Sequence, residues 1–167
     1  LDRLRGMFAF VIWDKEKKEL FGARDFFGIK PFYYATMNGT FMFGSEIKSF
    51  LVHPAFVKEL NTTALENYLT FQYSPTNETF FRNVYKLPPA HCFKYKDGKL
   101  DIKRYWDVHF NADEKPDMDM WVDRISDTFK NSVEAHKIAD VEVGSFLSSG
   151  VDSSYAASVA NVDKTFT

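Results

Sequence analysis

The hydrophobic rhythm of the chain changes twice. Its first part consists of short apolar runs separated by turn residues. "GMFAFVIWD" ends at the charged turn "KEKK", and "ELFGARD" follows as a second strand. "KPFYYATMNGTFMFGSE" holds two aromatic runs joined by Asn38-Gly39, a two-residue hairpin signal because both positions tolerate positive φ. Pro31 suits an edge or a strand start, since it donates nothing to a ladder. From Glu46 to Tyr73 the period becomes helical. "SEIKSFLVH" predicts a short helix. "NTTALENYLTFQY" predicts a longer one, with Asn61 or Thr62 as N-cap and Leu65, Tyr68, Leu69 and Gln72 at helical spacing. The alternation then returns. "HCFKYKDGKLDIKRYW" predicts a second hairpin, turned at Asp97-Gly98 and entered through the rigid Pro88-Pro89.

"VHFNADEKPDMD" is polar and reads as a linker, which places a boundary within residues 107–117. Beyond it Met118, Trp121, Val122, Ile125, Phe129 and Val133 recur at i, i+3, i+4 and predict an amphipathic helix from Asp117 to His136. A strand over Glu142–Leu147, a turn of small residues, a helix over Asp152–Asn161 and a strand from about Lys164 follow. That order predicts a parallel α/β sheet after the antiparallel first part.

The turn "SSGVDSS" is where chemistry enters. A strand feeding a helix presents unpaired backbone N–H groups and the positive end of the helix dipole, a ready anion site. Gly150 can take positive φ and allows close approach of a bulky anion. Ser148, Ser149, Ser153 and Ser154 add hydroxyls. Asp152 beside a phosphate is repulsive unless it caps the helix or holds Mg²⁺. The alternative is an ordinary Ser/Asp cap with no ligand. It is not a Walker A loop, because no lysine sits in the turn.

Composition narrows the picture without redirecting it. A 45% hydrophobic share with 18 Phe among 167 residues calls for packed cores. The net charge of −2 gives no reason to invoke nucleic acid or a membrane surface. No apolar run reaches the ~20 residues of a spanning helix, and a cytoplasmic setting is the default. The single cysteine, Cys92, cannot form a disulfide within the chain and reads as a small apolar strand residue rather than a nucleophile. There is no initiator Met, and both ends run directly into strand-like sequence, so a segment of a longer protein is expected.

"FLSSGVDSS" resembles the S-G-G-x-D-S loop of the ATP pyrophosphatase superfamily. With "GMFAFVIWD", "RDFFGIKPFYY", "FGSEIKSF", "TNETFFRNVYKLPPAH" and "RYWD" in the same order, nearly the whole chain resembles the glutamine-hydrolysing asparagine synthetases. The resemblance implies an α+β first part, the second half of an N-terminal-nucleophile αββα glutaminase domain over residues 1–110. The start of an α/β ATP-pyrophosphatase domain would follow over 117–167. It implies aspartate, glutamine and ATP as substrates, with Mg²⁺, giving asparagine, glutamate, AMP and pyrophosphate. A homodimer is left open. A related amidotransferase or β-lactam synthetase with another acceptor, and a non-catalytic nucleotide-binding module, are the alternatives.

Residue by residue, the resemblance places the ATP and pyrophosphate contacts at Phe146, Leu147, Ser148, Ser149, Gly150, Val151, Asp152 and Ser153, with Asp152 toward Mg²⁺. Ser149 departs from the usual glycine, and the expectation is that the loop needs no positive φ there. Phe146 reads equally well as core packing. Asp25 would receive the α-amino group of glutamine; its alternative is a turn aspartate that caps the "FFGIK" loop. Arg24 and Lys30 are weaker candidates, and Ser45 and Glu46 shape a corner. The family's glutaminase nucleophile, an N-terminal cysteine, has no counterpart here, so this segment alone is expected to be inactive as a glutaminase.

Overall fold

A computed structural model describes residues 1–111 and 117–167; the middle of the expected linker, 112–116, lies outside the described residues. The chain divides into two compact units, Leu1–His109 and Phe110–Thr167.

The first unit runs β1 (Ala9–Asp14), β2 (Glu19–Arg24), β3 (Tyr33–Met37), β4 (Thr40–Gly44), α1 (Thr62–Phe71), β5 (Val84–Lys86), β6 (His91–Lys96) and β7 (Lys99–Arg104). The strands form two antiparallel sheets, in the orders β1-β2-β6-β7 and β4-β3-β5. The hairpin turns fall where the sequence puts them. Asn38 and Gly39 take φ of 50° and 76°, and Asp97 and Gly98 take 49° and 77°.

Alternation then decides which side chains meet. Val11, Leu20, Phe93, Tyr95 and Ile102 of the first sheet pack with Tyr34 and Phe41 of the second, around buried Phe32 and Leu87. Burying a ring such as Phe93 contributes about 1.5–3 kcal/mol. The Phe41 and Tyr95 rings stack with centroids 4.4 Å apart, bridging the two sheets. Gly22 lies opposite Phe93 in the ladder, and a Cβ there would come 2.2 Å from Phe93 Cε1. Glycine is required at that position for space, not for φ. The far face of the second sheet carries Ala35, Met37, Met42 and Val84, covered by Phe50, Ile47, Phe56 and Phe81.

Three elements differ from the sequence reading. β5 is not signalled, because three residues after a left-handed Asn83 (φ 61°) give no period to recognise. The helix expected after Glu46 is a single 3-10 turn, Ile47–Ser49. In α1, Asn61 caps as expected, its side chain accepting from Ala64 N. Yet Ala64 is the buried residue, Leu69 is exposed, and Gln72 is the left-handed C-cap rather than part of the stripe.

The second unit holds α2 (Met118–His136), β8 (Ser145–Phe146), α3 (Val151–Ala160) and β9 (Thr165–Phe166). Asp117 caps α2 through its side chain. α2 and α3 meet through Phe129 and Tyr155, with ring centroids 4.9 Å apart. β8 and β9 pair in parallel across α3. The expected six-residue strand is cut to two, because β9 offers partners only to Ser145 and Phe146. No helix among the described residues is long and apolar enough to cross a membrane.

Candidate functional site

The loop between β8 and α3 is built by its serines. Leu147 N donates to Phe166 O at 2.7 Å, which ends the ladder at the loop's first residue. Ser153 Oγ lies 2.7 Å from Ser148 O, 3.0 Å from Gly150 O and 2.9 Å from Ser148 Oγ. Ser154 Oγ donates to Gly150 O at 2.9 Å. The hydroxyls therefore close the turn on itself by reaching its carbonyls. Its N–H groups are treated differently. Gly150 is the N-cap and makes no side-chain cap bond, so the first-turn N–H groups of α3 are left without a cap. Ser148–Asp152 are all exposed. Oriented donors at a helix N-terminus with no capping oxygen suit an anionic guest.

Gly150 does not use its freedom of φ. Its φ is −81° and ψ 150°, extended backbone open to any residue, so positive φ is not what a glycine supplies here. A Cβ would find Ser148 Oγ at 3.5 Å and Ser153 Oγ at 3.8 Å, ordinary contact. Ser149 likewise is not among the residues with positive φ. The glycine leaves that stretch of backbone bare and exposed. Gly150→Ala is accordingly expected to change stability by less than about 1 kcal/mol while weakening any phosphate ligand. Thermal unfolding with and without nucleotide, on the intact protein, checks both halves.

Asp152 stands in the first turn of α3, where its charge meets the positive end of the helix. Val151 is exposed, and Leu147 is half-buried. Phe146 is 85% exposed, with its ring 6.0 Å from Phe166, so within this chain it is not a core residue. Among the described residues no group of three His, Cys, Asp or Glu side chains could hold a metal.

The second candidate, Asp25, ends β2 and is 1% exposed. Its Oδ1 accepts from Ile29 N at 2.9 Å and Phe27 N at 3.3 Å. Its Oδ2 accepts from Lys30 N at 2.9 Å and Phe8 N at 3.3 Å. Burial raises its pKa, but the N–H bonds from Lys30, Ile29, Phe8 and Phe27 outweigh it and hold the carboxyl below its ordinary value. A carboxylate has about four lone-pair sites, and all four are taken. This geometry gives Asp25 a loop-organising role within the described residues.

Arg24 completes the loop from the opposite polarity. Its Nε donates to Lys30 O at 2.7 Å, Nη1 to Leu87 O at 2.6 Å and Nη2 to Gly28 O at 2.5 Å. Adjacent residues thus collect the carbonyls and the N–H groups of one irregular segment, which no strand or helix could satisfy. Gly28 has φ 65°, and a Cβ there would press on Pro89 Cγ at 2.9 Å and Arg24 Cζ at 3.0 Å. Lys30 takes part through its backbone. Glu46 caps the 3-10 turn, and its carbonyl accepts from Ser49 Oγ at 2.7 Å. Cys92 lies half-buried in β6 between Ala23 and Lys103. Sequence reasoning missed Arg24 as a clamp because three carbonyl partners, one of them 63 residues away, leave no local pattern.

Residues 1–106 match the glutamine amidotransferase domain family, and the chain belongs to it. Residues 124–166 match the asparagine synthase family, so the loop at Ser148 falls inside that second match. The chain is 43% identical over 159 residues to asparagine synthetase [glutamine-hydrolyzing] 1 of Bacillus subtilis, covering 95% of this chain and 25% of that protein. It is 41% identical over 167 residues to a putative asparagine synthetase [glutamine-hydrolyzing] of Mycobacterium bovis, covering 96% and 26%. An amidase of Penicillium rubens is 33% identical over 161 residues, covering 94% and 23%. The chain thus spans about a quarter of the length of these curated relatives.

Proposed function

We propose that the chain is part of a glutamine-hydrolysing asparagine synthetase, a ligase acting in the cytoplasm. The whole protein would take ammonia from glutamine, activate the side-chain carboxylate of aspartate with ATP and release asparagine, glutamate, AMP and pyrophosphate. The first unit would be the later part of an N-terminal-nucleophile glutaminase domain of αββα type. Two antiparallel sheets sharing one aromatic core support that reading. The second unit would be the start of an α/β ATP-pyrophosphatase domain, supported by two parallel strands joined through α3.

The observation that carries the proposal is the uncapped N-terminus of α3 inside the asparagine synthase match. In this reading the backbone between Ser148 and Ser153 donates to the β- and γ-phosphates, and the donors are already aimed when charge builds on the departing pyrophosphate. The serine hydroxyls hold the loop in shape, so little is reorganised as the reaction proceeds. Phe146 and Leu147, with Val151, line the approach of the nucleotide. The residues fit Mg²⁺ in the limited sense such sites need, because Mg²⁺ carried on phosphates asks the protein for one or two carboxylates, and Asp152 is present. When bound, the ion would neutralise phosphate charge. Exchange of labelled pyrophosphate into ATP, assayed on the intact protein, should require aspartate. Exchange without aspartate, or driven equally by another carboxylic acid, would refute the acceptor; no exchange under any condition would refute the activity.

A further inference from the structure

A cavity beside β5 plays no part in the reading above. It measures about 240 Å³ and is walled by Tyr33, Tyr68, Phe80 and Phe81, with Lys86 and Glu78 as the charged residues of its lining. At about 30 Å³ per water, it holds a molecule of roughly eight to ten heavy atoms. Tyr68 and Phe80 meet edge to face, centroids 5.2 Å apart, and form an apolar wall. The two aliphatic hydroxyls in the lining are already engaged: Ser74 Oγ donates to Glu78 O at 3.0 Å and Thr79 Oγ1 to Phe81 O at 3.1 Å.

Lys86 is different. It is half-buried, and its Nζ has no hydrogen bond or ion pair among the described residues. It pairs with Tyr33 in the ladder, so its side chain shares that face of the sheet. Burial, and then repulsion from Arg24, lower its pKa. An arriving carboxylate would answer both penalties with a charge-assisted bond. Glu78 sets the limit on that charge. Its Oε2 accepts only a 3.4 Å bond from Asn61 Nδ2, so it keeps most of its negative field and disfavours polyanions.

The geometry points to a binding site for a small apolar monocarboxylate, its carboxylate on Lys86 and its body among Tyr68, Phe80 and Phe81. The inference is independent of the proposed synthetase activity, because its test reads binding alone. The probe is phenylacetate, titrated into the intact protein and followed by calorimetry. Saturable binding is expected, weakened at least about tenfold by Lys86→Met and about equally for the neutral phenylacetamide. Lys86 holds no partner, so the variant should fold. The phenylacetamide comparison stands without any variant. No binding up to about 10 mM, equal binding of acid and amide, or undiminished binding by Lys86→Met would each overturn the proposal.

Discussion

Asp25→Asn should lower the stability of the first unit by about 2–6 kcal/mol, one of the largest single-residue effects available in this chain. The amide oxygen can keep the Phe27 and Ile29 N–H bonds made now by Oδ1. The amide nitrogen would then face the N–H groups of Lys30 and Phe8, donor against donor. Each buried donor left without an acceptor costs about 1–3 kcal/mol. Amide hydrogen exchange at residues 8 and 30 in the intact protein reads the loss locally, and denaturant unfolding reads it globally. The pH dependence has a defined sign. The native carboxyl titrates below its ordinary value, so its stabilising contribution is complete above the unfolded pKa of about 3.9. It is lost as pH falls through the native pKa, because the unfolded chain takes up the proton first. The Asn variant should lack this acid-dependent part. Unchanged stability together with a raised KM for glutamine would instead make Asp25 a substrate ligand.

Asp152→Ala is the second large effect. In the intact protein it should reduce aspartate-dependent ATP–pyrophosphate exchange by at least about a hundredfold, the scale seen when one preorganised electrostatic group is removed from a transition-state site. Glutamine hydrolysis should stay within about threefold, because Asp152 belongs to the second compact unit and the amidotransferase match ends at residue 106. Stability should hold as well. Asp152 is exposed, it is not the capping residue of α3, and its favourable interaction with the helix end is worth about 0.3–1 kcal/mol. Loss of both activities in a folded protein would show that Asp152 supports the structure rather than the phosphate chemistry.

The sequence was legible wherever local chemistry fixes local shape. Asn38-Gly39 and Asp97-Gly98 announce their hairpins because few other pairs accept positive φ at both positions. Asn61 announces its helix because its side chain satisfies a first-turn N–H group. What stayed hidden depends on partners far along the chain. β5 exists because β3 offers it a ladder. Gly22 is glycine because Phe93, distant in sequence, lies over it. For the glycine of the serine loop two reasons were readable, positive φ and close approach, and the dihedral removes the first. Positive φ and bare backbone leave the same letter in a sequence, and only the dihedral separates them. For Asp25 both a ligand role and a loop-capping role were readable, and the structure adds the N–H partners that fill out the second.

The Arg24–Asp25 clamp also divides labour within its segment. The backbone course of residues 25–30 is dictated by two adjacent side chains, buried Asp25 and half-buried Arg24. Phe27 and Ile29, at 68% and 57% exposure, carry none of that duty. Such a track keeps its path whatever faces outward, so positions 27 and 29 answer to what their side chains meet, as Phe27 meets Trp106 at 5.6 Å, rather than to the course of the backbone.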